Sequence, residues 1–198
     1  MLVFATLGPA GSNHQFVTQK YIEFHALPAR IELVLDFDDA LDMILSGEAD
    51  HIVQVAVHPA TAATAAKQYK RVFVVDTFIS ASHPLGVLTI AGVETPSSLG
   101  LQPATAEYVD TSRWSRLVPE ISIASVAQGL LEGRFDSGIA ALDLATANPG
   151  RFRVDEVIGA IDDAWLVYGR TRVTAEGMVA WRDSPAAALY QRELAEHR

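Results

Sequence analysis

The chain has 198 residues, a hydrophobic fraction of 49% and a formal net charge of -9, which suffices for one sizeable core or two small lobes. It contains no cysteine, which excludes disulfides, thiolate chemistry and Cys-based zinc sites. No basic patch of the kind that neutralises phosphates is visible, so a nucleic-acid partner is not expected.

The first apolar run, Leu2–Leu7, reads as a buried strand. Its lack of a basic leader argues against a signal peptide. It turns through Gly8-Pro9-Ala10-Gly11 into a helix over Asn13–Phe24, with Ser12 or Asn13 at the N-cap. Arg30–Leu35 reads as a strand. Asp38–Leu45 reads as a helix with Ala40, Leu41, Ile44 and Leu45 on one face, ended by Gly47. A strand over Ile52–Val57 is broken by His58-Pro59-Ala60-Thr61. An Ala-rich helix over Ala62–Tyr69 and a strand over Val72–Phe78 follow. This β-α-β-α-β-α-β order predicts a mostly parallel, doubly wound sheet.

Beyond the polar segment Ser80–Pro84 a second, smaller α/β unit is expected. Its strands are read at Leu85–Ala91, Ile121–Ala124 and Ser137–Ala141, with a loop over Gly92–Gly100 and a helix start at Gln102-Pro103. Ser125–Glu132 reads as a helix capped by Ser125 and ended by Gly133, and Leu142–Ala147 as a short helix. Arg153–Ile158 reads as the returning stretch at the end of this unit, Trp165–Tyr168 is an apolar strand, and Ser184–Arg198 is a helix with Ser184 as cap and Leu189, Tyr190 and Leu194 as its apolar face. The expected fold class is therefore α/β with two lobes, residues 1–82 plus 159–198 forming one and residues 83–158 inserted as the other. The crossings near His83 and Gly159 form the hinge, with the ligand held between the lobes. No apolar run approaches the ~20 residues of a membrane helix. The expectation is a soluble cytoplasmic protein without a membrane partner.

A strand, a Gly-rich turn and a helix start together favour anions, which singles out Gly11, Ser12 and Asn13. The turn is neither a Walker loop, which needs a lysine, nor a dinucleotide fingerprint. His14, His58 and His83 each fall at a predicted strand end or at the hinge, and imidazole titrates near neutrality, which suits a general acid. No His-rich spacing of the H-E-x-x-H kind joins them, so no metal is expected. His25, His51 and His197 are assigned to the surface. Trp165 and Tyr168 are assigned to the core, and Asp162-Asp163 is read as structural.

Several stretches taken together resemble the prephenate dehydratases. FATLGPAGSNHQF resembles their opening Gly-Pro-x-Gly-Ser/Thr segment, and Phe37–Asp50 resembles the run before their third strand. Gln102-Pro103, Ser125-Val126-Ala127, Ala140-Ala141 and Ile161-Asp162-Asp163 follow in the family's order, so the likeness runs from about Phe4 to Tyr168. The resemblance implies a catalytic domain of the two-lobed, periplasmic-binding-protein-like (type II) fold, a homodimer, no cofactor, and a small carboxylate as ligand. It places Thr61 beside the binding residues. Two carboxylates on the substrate imply a second cluster of donors at later helix starts, here Thr105, Ala106 and Ser125.

The departures are specific. Ala56-Val57-His58-Pro59-Ala60-Thr61 stands where the family has Pro-Ile-Glu-Asn-Ser. Trp165-Leu166-Val167-Tyr168 stands where its Thr-Arg-Phe should fall; Thr171-Arg172-Val173 lies a few residues later, beyond a glycine. The chain ends at Arg198 without the family's ACT domain. With the threonine acid missing, the expected activity shifts from dehydration to cofactor-free decarboxylation of prephenate or a related acid. The alternative is a protein of the same fold that binds a small carboxylate without chemistry.

Overall fold

The computed structural model describes residues 1–174, 177–181 and 184–196. It contains two five-stranded sheets. The first is built from β1 (Leu2–Leu7), β2 (Ala29–Val34), β3 (His51–Val55), β4 (Phe73–Ala81) and β10 (Asp162–Gly169), in the order β2-β1-β3-β10-β4. Its helices are α1 (Asn13–Phe24), α2 (Phe37–Ser46) and α3 (Thr61–Lys67). β1 runs parallel to β2 and β3. β10 runs antiparallel to both β3 and β4. The expected parallel sheet is thus interrupted: β4 does not pair with β3, because the returning strand β10 lies between them.

Alternation along β1 sends Phe4 to one face and Ala5 to the other. Phe4, Val17 and Ile22 pack with Val53 and Trp165 under α1. Ala5, Leu41 and Ile44 pack with Ile52 and Tyr168 under α2. Trp165 and Tyr168 are fully buried, in agreement with their assignment to the core.

The second sheet has the order β7-β6-β8-β5-β9, from β5 (Leu85–Ile90), β6 (Ser98–Leu101), β7 (Arg116–Pro119), β8 (Ser137–Ala141) and β9 (Phe152–Gly159). A 3₁₀ turn over Pro103–Tyr108, α4 (Ile123–Glu132) and α5 (Asp143–Ala147) complete this unit. Three readings are corrected here. The Gly92–Gly100 stretch is not all loop, since Ser98 begins β6, and β7 is a strand that no local pattern marks. Ile121–Ala124 is not a strand: Ser122 caps α4 by accepting from the N–H of Ser125 at 3.1 Å, so the cap lies three residues earlier than expected. Leu88, Val126, Leu130 and Phe135 form the core on one face of the sheet, and Leu99, Trp114 and Ile139 that on the other.

α6 (Pro185–Glu196) begins as expected, the hydroxyl of Ser184 accepting from the N–H of Ala187 at 3.3 Å. Its expected apolar face, Leu189, Tyr190 and Leu194, is exposed. His25 is exposed as expected. His51 is half-buried and stacks on Phe4 at 5.0 Å, a correction to its surface assignment. His197 lies outside the described residues. Among the described residues, no helix is long and apolar enough to cross a membrane.

Candidate functional site

The chain crosses between the sheets twice, at residues 82–84 and 160–161, and the crossings are tied together. Ser82 donates its N–H to the carbonyl of Ile161 at 2.9 Å, and its hydroxyl accepts from the N–H of Ile161 at 3.0 Å. Beside this tie a cleft of about 450 Å³ opens between the sheets, at the carboxyl ends of β1 and β3.

From the first sheet the cleft is lined by Gly11, Ser12, Asn13, His14 and His58. The turn into α1 is built like a capping box. Ser12 accepts from the N–H of Gln15 at 3.2 Å, and the side chain of Gln15 accepts from the N–H of Gly11 at 2.7 Å. The Ser12 hydroxyl also donates to the carbonyl of Leu7 at 2.7 Å, so its polar capacity is spent on the fold. The N–H groups of Asn13 and His14, the first two of the helix, bond to nothing among the described residues. Asn13 fixes the hinge instead with its side chain, Oδ1 accepting from the N–H of His83 at 3.2 Å.

From the second sheet come Ser122, Ile123 and Ala124 at the start of α4, together with Thr105 and Tyr108. Ser122 takes the Ser125 N–H, and the N–H groups of Ile123 and Ala124 are left without a described partner. Each lobe therefore presents one helix start with two free donors to the same cleft. Such donors, with the positive end of the helix dipole, hold a carboxylate without a charged side chain. Among the described residues, neither Lys nor Arg lines the cleft.

The three histidines converge on this space, but their chemistry differs. His14 is buried against Phe37 and Trp165, and its Nε2 accepts from the N–H of Val55 at 3.4 Å. That bond leaves the ring proton on Nδ1, which has no described partner. Burial, with a smaller push from His58, lowers its pKa to about 3, so it is neutral at physiological pH. His58 stands edge-on to His14 at 5.8 Å, accepts from the N–H of Ala60 through Nδ1, and is held below the usual imidazole range by burial. His83 stacks on Phe16 at 3.8 Å. Among the described residues no group of three or more His, Asp or Glu stands close enough to hold a metal ion.

Three of the expected binding residues lie elsewhere. Thr61 donates its hydroxyl to the carbonyl of Val55 at 3.0 Å, inside the first lobe. Ala106 packs into the core of the second sheet, and Ser125 bonds Ser122 from within α4 without lining the cleft. Thr105 does line it, but donates to the carbonyl of Gln102 at 2.8 Å.

One lining residue carries more than its reading as structural: Asp163. It is half-buried in the cleft, has no described hydrogen-bond partner, and burial together with Asp162 raises its pKa. Its position was legible in principle, since it stands two residues before Trp165 on a strand and so shares the face that Trp165 buries.

The fold has known counterparts. Prephenate dehydratase from Arthrobacter aurescens, solved with L-Phe, superposes with a TM-score of 0.63 at 21% identity, over 95% of this chain and 70% of that one. GqqA, a quorum-quenching acylase, gives 0.57 at 13% identity over 88% and 66%. The periplasmic VFT2 domain of BvgS from Bordetella pertussis gives 0.52 at 11% identity over 85% and 80%. No family model matches the chain, and no curated protein matches it in sequence. At these identities the likeness establishes the fold: a two-lobed α/β architecture of the type II periplasmic-binding-protein kind.

Proposed function

We propose that the cleft binds a small carboxylate-bearing molecule, on which residues 1–82 plus 159–198 and residues 83–158 close as two lobes. One observation carries this reading. The starts of α1 and α4 line one cavity from the two sheets, and their first two N–H groups have no partner among the described residues. A buried helix start without partners is costly, and an anionic ligand relieves it. The cavity volume suits a molecule of amino-acid size.

The test is thermal unfolding of the full chain against a panel of small carboxylates, repeated with Ala127→Phe, which fills the cleft from α4. A rise in Tm in the native chain that the variant loses supports the reading. A rise that survives in Ala127→Phe places the ligand elsewhere and overturns it.

A second reading, cofactor-free decarboxylation of prephenate, draws on the protonatable groups at the cleft, His58, His83 and Asp163. His14 is a poor acid for that role, being neutral and fixed by Val55. Incubation with prephenate and product identification by mass decide it: loss of CO2 with the hydroxyl kept supports a lyase, and unchanged prephenate removes it. The homodimer implied by the family resemblance belongs to the same proposal, and light scattering on the purified chain tests it.

A further inference from the structure

The charge inventory of the cleft narrows the ligand beyond a carboxylate. Among the described residues its lining has no Lys or Arg, but it includes Asp143 and Asp163. Asp143 is exposed at the start of α5, whereas Asp163 is half-buried at the hinge and unpaired among the described residues. A dianion would meet these two carboxylates with only neutral donors to oppose them. A ligand with one carboxylate and one ammonium group meets complementary charge at both ends.

We propose, resting on the carboxylate reading above, that the cleft takes a zwitterion: an α-amino acid with an apolar side chain. The free N–H groups of Asn13 and His14 and the unpartnered Nδ1–H of His14 receive the carboxylate, and Asp163 receives the ammonium group. His14 fits this role because it is more than nine-tenths buried, lines the cleft, and has its other nitrogen fixed by Val55. Asp163 fits because its negative charge is disfavoured by burial and by Asp162, a cost that an adjoining ammonium removes. The side chain of the ligand faces Ile123, Ala127, Leu131 and Leu144, which offer it no charge.

The experiment is calorimetric titration of the full chain with L-leucine and L-phenylalanine, with their counterparts lacking the amino group (4-methylpentanoate and 3-phenylpropanoate), and with prephenate. The expected result is at least tenfold tighter binding of one amino acid over its deaminated counterpart. Asp163→Asn should reduce that preference to less than threefold, and Asp163→Glu should restore it. The urea midpoint of each variant shows that it is folded. Equal affinity for amino and deaminated acids, a preference that survives Asp163→Asn, or tightest binding of prephenate overturns the zwitterion and leaves the carboxylate cleft standing. Failure of every compound to bind overturns both.

Discussion

His14 is a buried imidazole whose pKa is pushed well below its ordinary value by desolvation. Its folded pKa of about 3 lies below the 6.5 of the unfolded chain, so the unfolded state binds the extra proton more readily. The stability contributed by the neutral ring is therefore fully present above pH 6.5 and is lost as pH falls from there toward 3. At pH 5 the loss amounts to about 2 kcal/mol, at 1.36 kcal/mol per unit. Urea unfolding at pH 7.5 and pH 5 should show this drop in the native chain, with His58 adding in the same direction. His14→Phe should remove most of it. An unchanged pH slope in that variant would show that His14 is accessible to protons in the folded state.

A second residue-scale prediction concerns Gln54, which is fully buried on β3 with both amide atoms lacking a partner among the described residues. Leaving a buried amide unmatched costs about 1–3 kcal/mol. Gln54→Leu, of similar volume, should raise the free energy of unfolding by about 1 kcal/mol or more. A loss instead would mean that the amide is satisfied in solution.

At the scale of elements, the start of α4 gives the clearest test, because two serines compete for one role. The structure gives the cap to Ser122, so Ser122→Ala should cost about 1 kcal/mol and Ser125→Ala clearly less. The reverse order would restore the cap at Ser125. The sequence misleads here for a physical reason: Ile121-Ser122-Ile123 alternates apolar and polar like a strand, while Ile121 is in fact 64% exposed at the cleft. Elements with strong periodicity, such as α2 with its apolar face and left-handed Gly47, are legible from local pattern alone, although its Asp36 cap comes from the structure. β6 was not, since Ser98-Leu99-Gly100-Leu101 carries a glycine that reads as loop. That glycine is a packing requirement: a Cβ at Gly100 would collide with the ring of Phe135, which fills the space above it. Gly100→Ala should therefore cost about 1–3 kcal/mol. Paired with Phe135→Leu, it should cost less than the sum of the two single changes. Strict additivity in that cycle would mean that the two residues do not touch.

At the scale of the molecule, the position of β10 was not readable because strand order depends on pairings that no local pattern encodes. The same holds for the site. His14, His58 and His83 are legible from their places at strand ends or the hinge, but burial, which makes His14 neutral, arises from Phe37 and Trp165 folding over it. Asp163 reads as structural in the sequence because its place in the cleft, half-buried and without a Lys or Arg beside it among the described lining residues, depends on the packing of the two sheets. This arrangement makes a prediction about the whole chain. Each lobe has its own core on both faces of its own sheet, and the two are joined by the crossings at 82–84 and 160–161. A ligand held from both sides must couple them. At 100 times its Kd it contributes about 2.7 kcal/mol. For a chain of this length that corresponds to a rise in Tm of about 5–11 °C. Closure should also lower the radius of gyration measured by small-angle scattering. A rise in Tm with no change in scattering would mean that the lobes already stand closed. The ligand would then stabilise the protein by filling a preformed cavity, with the Ser82–Ile161 tie holding the lobes fixed rather than letting them swing.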